Sequence, residues 1–143
     1  ALPGAINVIP GAVEFSVDAR ARDDKDRLAL AAKIEAEIRA IAARRNVGVT
    51  IDRTLDAKGA ACTPRLMDQM DAAIQGEGIK PFRLFSGAGH DAMSMVEMTD
   101  IAMLFVRCER GISHNPAEMI TKEDAGIGAR VLLRFMDGFG RGN

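Results

Sequence analysis

The sequence predicts an α/β chain in two parts. Residues 1–60 read as an antiparallel sheet with a helix on one face, and residues 61–143 as a largely parallel α/β arrangement. Three observations point there. Val13, Phe15 and Val17 alternate with Glu14, Ser16 and Asp18, the period of a half-buried strand. Leu30, Ile34, Ile38 and Ile41 repeat at helical spacing. After residue 60, helix and strand signals take turns.

Residues 5–20 read as a β-hairpin turning at Pro10-Gly11. With those two as the loop, Val8 faces Val13, Asn7 faces Glu14 and Ile6 faces Phe15. Asn7 then shares a sheet face with Glu14, Ser16, Asp18 and Arg20. A helix is expected over 24–45, capped by Asp23 or Asp24, with Glu35 and Arg39 as an outward i,i+4 pair. Asn46 to Gly48 closes it, and Val47, Val49 and Ile51 alternate as a further strand.

Lys58-Gly59-Ala60-Ala61 marks the boundary. The next helix, at about 63–77, follows Thr63 with Pro64 in its first turn. A short strand, Phe82 to Phe85, leads into Ser86-Gly87-Ala88-Gly89-His90-Asp91-Ala92 and a Met-rich helix near 91–98. Ile101 to Val106 is a continuous apolar run, read as a strand buried on both faces. A polar loop from Cys108 to Pro116 follows. The last helix is expected over 122–137, with Thr121 and Asp124 resembling a capping box.

Composition narrows the function. Of 143 residues, 48% are hydrophobic and 27% charged, and the net charge is −1. That balance suits a globular chain and argues against nucleic-acid and membrane-surface partners. Trp and Tyr are absent, so aromatic platforms for bases are a poor expectation. No apolar run is long enough to cross a bilayer. Cys62 and Cys108 have no CxxC spacing; they read as reduced thiols of a cytoplasmic protein, with one disulfide as the open alternative. The start, Ala1-Leu2-Pro3-Gly4, has no signal-peptide pattern and reads as lying within a longer protein.

The two histidines, His90 and His114, fall in loops at the ends of expected strands. Ligands bind at such ends in open α/β sheets, although a lone loop histidine is most often a plain surface residue. A neutral imidazole ligates metals well, but a catalytic metal centre needs three or more protein ligands. Glu118 and Asp91 lie nearby in sequence at no recognisable ligand spacing. Ser86 to Gly89 is either an anion-receiving turn or a simple tight turn, and it lacks the full phosphate-loop pattern. Arg20 is either a carboxylate fork or a solvated strand residue. Met93, Met95, Met98 and Met103 suit core packing. Neither Cys62 nor Ser86 nor Ser113 shows the partners of a nucleophile.

Three segments, in order and spacing, resemble the hydantoinase/carbamoylase group of two-metal aminohydrolases, which includes allantoate amidohydrolases and N-carbamoyl-L-amino-acid hydrolases. They are Pro3 to Gly11 leading into Phe15-Ser16-Val17-Asp18-Ala19-Arg20; Ser86 to Ala92; and Met103 to Cys108 running into Gly111-Ile112-Ser113-His114-Asn115-Pro116-Ala117-Glu118. Phe-Val-Arg-Cys before Gly-Ile-Ser-His looks most like the allantoate enzymes. Glu109-Arg110, Phe85 and Ala19 depart from the group's usual residues and leave the matched functional positions in place.

The resemblance implies that residues 1–60 are part of a lid, or dimerisation, domain and 61–143 the C-terminal part of the catalytic domain. It implies His114 as a metal ligand, and Asn7, Arg20, Gly89 and His90 as substrate-binding residues. The general base and the other ligands for two divalent ions, manganese or zinc, are expected upstream, with no catalytic residue in this chain. The expected substrate is a small ureido or N-carbamoyl acid such as allantoate, as in purine catabolism, hydrolysed with release of ammonia and CO2 by a homodimer paired through the lid. The chain alone is expected to be inactive. Two other readings stand beside this one: a non-catalytic dimerisation or binding module, and a dipeptidase or aminoacylase relative.

Overall fold

The computed structural model describes residues 1–139. It divides into two compact units, Ala1–Ala57 and Lys58–Asn143. The expected sheets are not there. No strand or ladder forms among the described residues, and the sole strand-like pairing among them is an isolated antiparallel bridge between Leu2 and Ala12. The architecture is therefore helices joined by irregular chain, which corrects the α/β reading in both parts.

The physical reason lies in what alternation can encode. It says which side of an extended segment is apolar, but pairing needs a neighbour in register. The hairpin illustrates this. The Leu2 N–H donates to the Ala12 carbonyl at 2.8 Å, and the Gly11 N–H to the Leu2 carbonyl at 3.0 Å. The bridge thus joins Leu2 to Ala12 where the expected register pairs Val8 with Val13, and the register that set Asn7 beside Arg20 is not formed. Val13, Phe15 and Val17, the expected apolar face, stay exposed.

In the first unit the ordered element is α1, Asp24–Arg45. The Asp23 carboxylate caps it by accepting from the Asp26 N–H at 2.9 Å. Asp24 and Asp26 lie in its first turn and Arg44 and Arg45 in its last, each sign at the favourable end of the helix dipole. Asn46 ends it in the left-handed conformation, φ 52°. The covered face runs through Ala31, Ile34, Ile38 and Ala42, while Leu30 and Ile41 are exposed. The chain then doubles back along this face. Arg53 Nε donates to Glu35 Oε1 at 2.7 Å, and Arg27 Nη1 to Asp56 Oδ1 at 2.6 Å. Residues later in the return segment thus meet residues nearer the helix start. The expected strand at 47–51 begins this return and has no strand partner.

The second unit packs α2, Pro64–Gly76, against the final helix, Lys122–Gly138, here α4. Between them a single turn, α3, spans Ala92–Met95, shorter than expected, and a 3-10 turn spans Glu109–Gly111. Met70, Ala73 and Val131 form the core, with Ile74, Leu104, Ile127 and Phe135 against it. Ile101 is buried, but Phe105 and Val106 are exposed, so the apolar run 101–106 is not covered on two faces. Its start is fastened to α2: the Thr63 N–H donates to the Ile101 carbonyl at 2.8 Å. Gly128 brings α4 close to this run. A Cβ there would lie 2.9 Å from Val106 Cγ2. Thr121 caps α4 by accepting from the Asp124 N–H at 3.0 Å, as its sequence pattern predicts.

Candidate functional site

In the second unit the candidate residues sit on two loops. On the first, His90 is half-buried and its Nε2 lies 2.7 Å from Ser86 Oγ, which also accepts from the Ala88 N–H at 3.2 Å. The Ser86 hydroxyl therefore knits the Gly-rich turn together. The imidazole meets the Phe105 ring edge to face, with centroids 5.9 Å apart. Gly89 is exposed beside it, with its backbone accessible. No strand precedes this turn, so its position owes nothing to a sheet end.

The second loop carries His114 on unusual backbone. Arg110 (φ 55°), Gly111 (φ 69°) and His114 (φ 56°) are all left-handed. Glycine adopts this freely; for other residues it costs on the order of 1–2 kcal/mol. Local hydrogen bonds hold the shape. The Glu118 carboxylate accepts from the His114 N–H at 2.8 Å, and Asn115 Oδ1 from the Ala117 N–H at 2.9 Å. Glu118 is thus a loop clasp in this structure. The His114 ring is exposed, and its Nδ1 lies 2.9 Å from Ser113 Oγ. With Nδ1 protonated toward that hydroxyl, Nε2 presents its lone pair outward, the arrangement of a metal-ligating imidazole. His114 fits one ligand position. It does not make a centre: no group of three or more His, Cys, Asp or Glu side chains able to hold a metal occurs among the described residues.

In the first unit Asn7 lies in the exposed turn inside the Leu2–Ala12 loop. Arg20 presents its fork to Asp18. Its Nε lies 3.0 Å from each Asp18 carboxylate oxygen, and Nη2 lies 2.5 Å from Oδ2. The hydrogen bond from Arg20 holds the Asp18 carboxyl below its ordinary 3.8, and the same bond raises Arg20. The guanidinium is therefore seen binding a carboxylate, here one from its own chain.

An open apolar cleft of about 500 Å³ lies elsewhere in the second unit, along Leu66, Met70, Leu104 and Phe135. It includes none of the candidate residues. Its acidic group, Asp100, is engaged by the Thr63 hydroxyl at 3.1 Å and by Arg65 at 3.3 Å.

The sequence pointed to His114, His90, Gly89, Asn7 and Arg20 but not to their immediate partners. Asp18 was legible only as a same-face neighbour of Arg20. Ser86 and Ser113 lack a nucleophile's partners in the sequence, and in the structure each hydroxyl holds a histidine. The i,i+4 spacing of Ser86 and His90, and the adjacency of Ser113 and His114, were the signals available.

Residues 3–138 match the sequence profile of peptidase family M20/M25/M40. An allantoate deiminase of Arabidopsis thaliana is 39% identical over 144 residues, covering 94% of this chain and 27% of that protein. An N-carbamoyl-L-amino acid amidohydrolase of Geobacillus stearothermophilus is 40% identical over 132 residues, covering 91% of this chain and 32% of its own length. Allantoate deiminase 2 of Glycine max is 37% identical over 144 residues, covering 94% of this chain and 30% of its own length. The chain thus spans about a third of the length of the curated relatives it matches.

Proposed function

The chain belongs to peptidase family M20/M25/M40, and on that footing we propose that it works as the C-terminal portion of a metal-dependent amidohydrolase acting on a ureido or N-carbamoyl acid such as allantoate. The observation that carries this reading is the match to both kinds of relative over more than nine-tenths of the chain.

In this reading the complete site would hold two divalent ions, manganese or zinc, which when bound would supply Lewis-acid polarisation of the carbonyl and a more acidic water. His114 would hold one of them through Nε2, with Ser113 fixing the ring and the Glu118 clasp fixing the backbone. Arg20 takes the substrate carboxylate in its fork, and Asn7 adds a hydrogen bond. The Gly89 backbone contacts the ureido end, with His90 beside it and held by Ser86. Residues 1–60 serve as part of a lid and dimer interface, so that carboxylate capture accompanies closure. The general base lies outside this chain. No helix among the described residues is long and apolar enough to cross a membrane, and a cytoplasmic setting suits the two free cysteines, Cys62 and Cys108.

The test is hydrolysis by the longer protein carrying this chain, loaded with manganese or zinc, read as ammonia release for the ureido acids and as free amino acid release for a dipeptide. Allantoate, N-carbamoyl-L-amino acids and a dipeptide would be compared. Turnover of a ureido acid at least tenfold above the dipeptide supports the reading. Preference for the dipeptide would replace it with a peptidase assignment.

A further inference from the structure

Asp18 occupies the fork that the proposed function reserves for the substrate. The contact is side-on and close: both Asp18 oxygens lie 3.0 Å from Arg20 Nε, and Oδ2 also meets Nη2. The partners are two residues apart, so the pair forms locally. Both side chains are open to solvent, at 58% and 66% exposure. An exposed pair of this kind is screened and exchangeable rather than locked.

We propose that Asp18 is an internal competitor for Arg20, a specificity-determining residue whose carboxylate fills the guanidinium fork until the substrate carboxylate displaces it. The proposal rests on the reading of Arg20 as the carboxylate anchor. Exchange of one carboxylate for another keeps the guanidinium paired throughout. A neutral ligand has no charge with which to displace Asp18, so the pair screens out uncharged analogues. Asp18 contacts no reacting atom; it acts on binding alone. The signature is a change in KM without a change in kcat.

The experiment uses the longer protein with its metals. Asp18→Asn keeps the shape and removes the competing charge; Asp18→Ser is a second variant in case the first folds poorly. The expected result is a KM for the ureido acid lowered roughly twofold to fivefold, the range an exposed ion pair spans. The kcat stays within twofold, the gain shrinks as salt is raised, and KM for the corresponding neutral carboxamide falls as well, because the fork no longer excludes it. An unchanged or raised KM for the acid in both variants overturns the proposal. Arg20→Gln separates the two layers. If it raises KM at least tenfold while the Asp18 variants do nothing, the anchor stands and the competitor is refuted. If it leaves KM unchanged, the anchor reading fails and the competitor fails with it.

Discussion

The Glu77 carboxylate lies 2.6 Å from Nε of Arg130, and its other oxygen reaches Arg134 one helical turn on. The residue that ends α2 is thereby tied to successive turns of α4. The Glu77 side chain is only 10% exposed.

That tie has a pH signature. Hydrogen bonds from Arg130 and then Arg134 hold the Glu77 carboxyl below its ordinary value of 4.5. The unfolded chain therefore takes up the proton first as pH falls. The stabilisation is full above 4.5 and is lost as pH drops through the lower folded value. Glu77→Gln should melt several degrees below the parent at pH 7. The gap should close below pH 4.5, followed by circular dichroism. A gap that stays constant down to pH 3 would show that the charge is not what matters.

Two glycines of α4 should respond in opposite directions to alanine. At Gly128 the added methyl would meet Val106 Cγ2 at 2.9 Å, on a branched side chain that cannot swing clear easily. Overpacking of this kind costs about 1–3 kcal/mol, against about 1 kcal/mol gained in helix propensity. Gly128→Ala should therefore destabilise, and Val106→Ala should restore the double variant. At Gly126 the nearest atom is Arg130 Nη1 at 3.5 Å, an ordinary contact. Gly126→Ala should stabilise by roughly 0.5–1 kcal/mol. Urea titration measures both.

Ser113 should matter to metal affinity without being a ligand. Its hydroxyl fixes the ring through Nδ1 at 2.9 Å. Loss of such an outer partner costs about 10–100-fold in metal affinity or activity. In the longer protein, Ser113→Ala should need that much more free metal for half-maximal loading, and His114→Ala should lose a metal outright, as read by elemental analysis. Full metal content in His114→Ala would remove it from the ligand set.

The chain by itself should not turn over substrate. One imidazole is a poor centre, and no group of three donors accompanies it among the described residues. Ammonia release from allantoate by the purified chain with manganese should stay at the uncatalysed level. Activity above that level would mean that the chain holds more of the machinery than His114.

The helices were readable because their signals are local. Asp23, Asn46, Thr121 and Pro64 mark helix ends through bonds or ring geometry spanning a few residues, and the structure places the ends there. The strands were not readable, because alternation at 13–18 names an apolar side without naming a partner. The short apolar run at 101–106 gave too little to fix its neighbours. The identity of His114 as a candidate came from the motif around it. Its left-handed backbone and the Glu118 clasp are products of loop geometry that the residue types do not announce: Gly111 adopts that conformation as a glycine readily does, but so do Arg110 and His114, while Asn115 does not.

Position 114 also poses a problem for anyone redesigning this protein for heat resistance. A backbone-guided optimisation would replace both Arg110 and His114 with glycine, since each sits at positive φ. At 110 the exchange should yield a hardier protein that still works. At 114 it should yield an equally hardy one without its imidazole, so that, if His114 holds a metal as proposed, a screen scored on melting temperature alone would rank an inactive variant among its best.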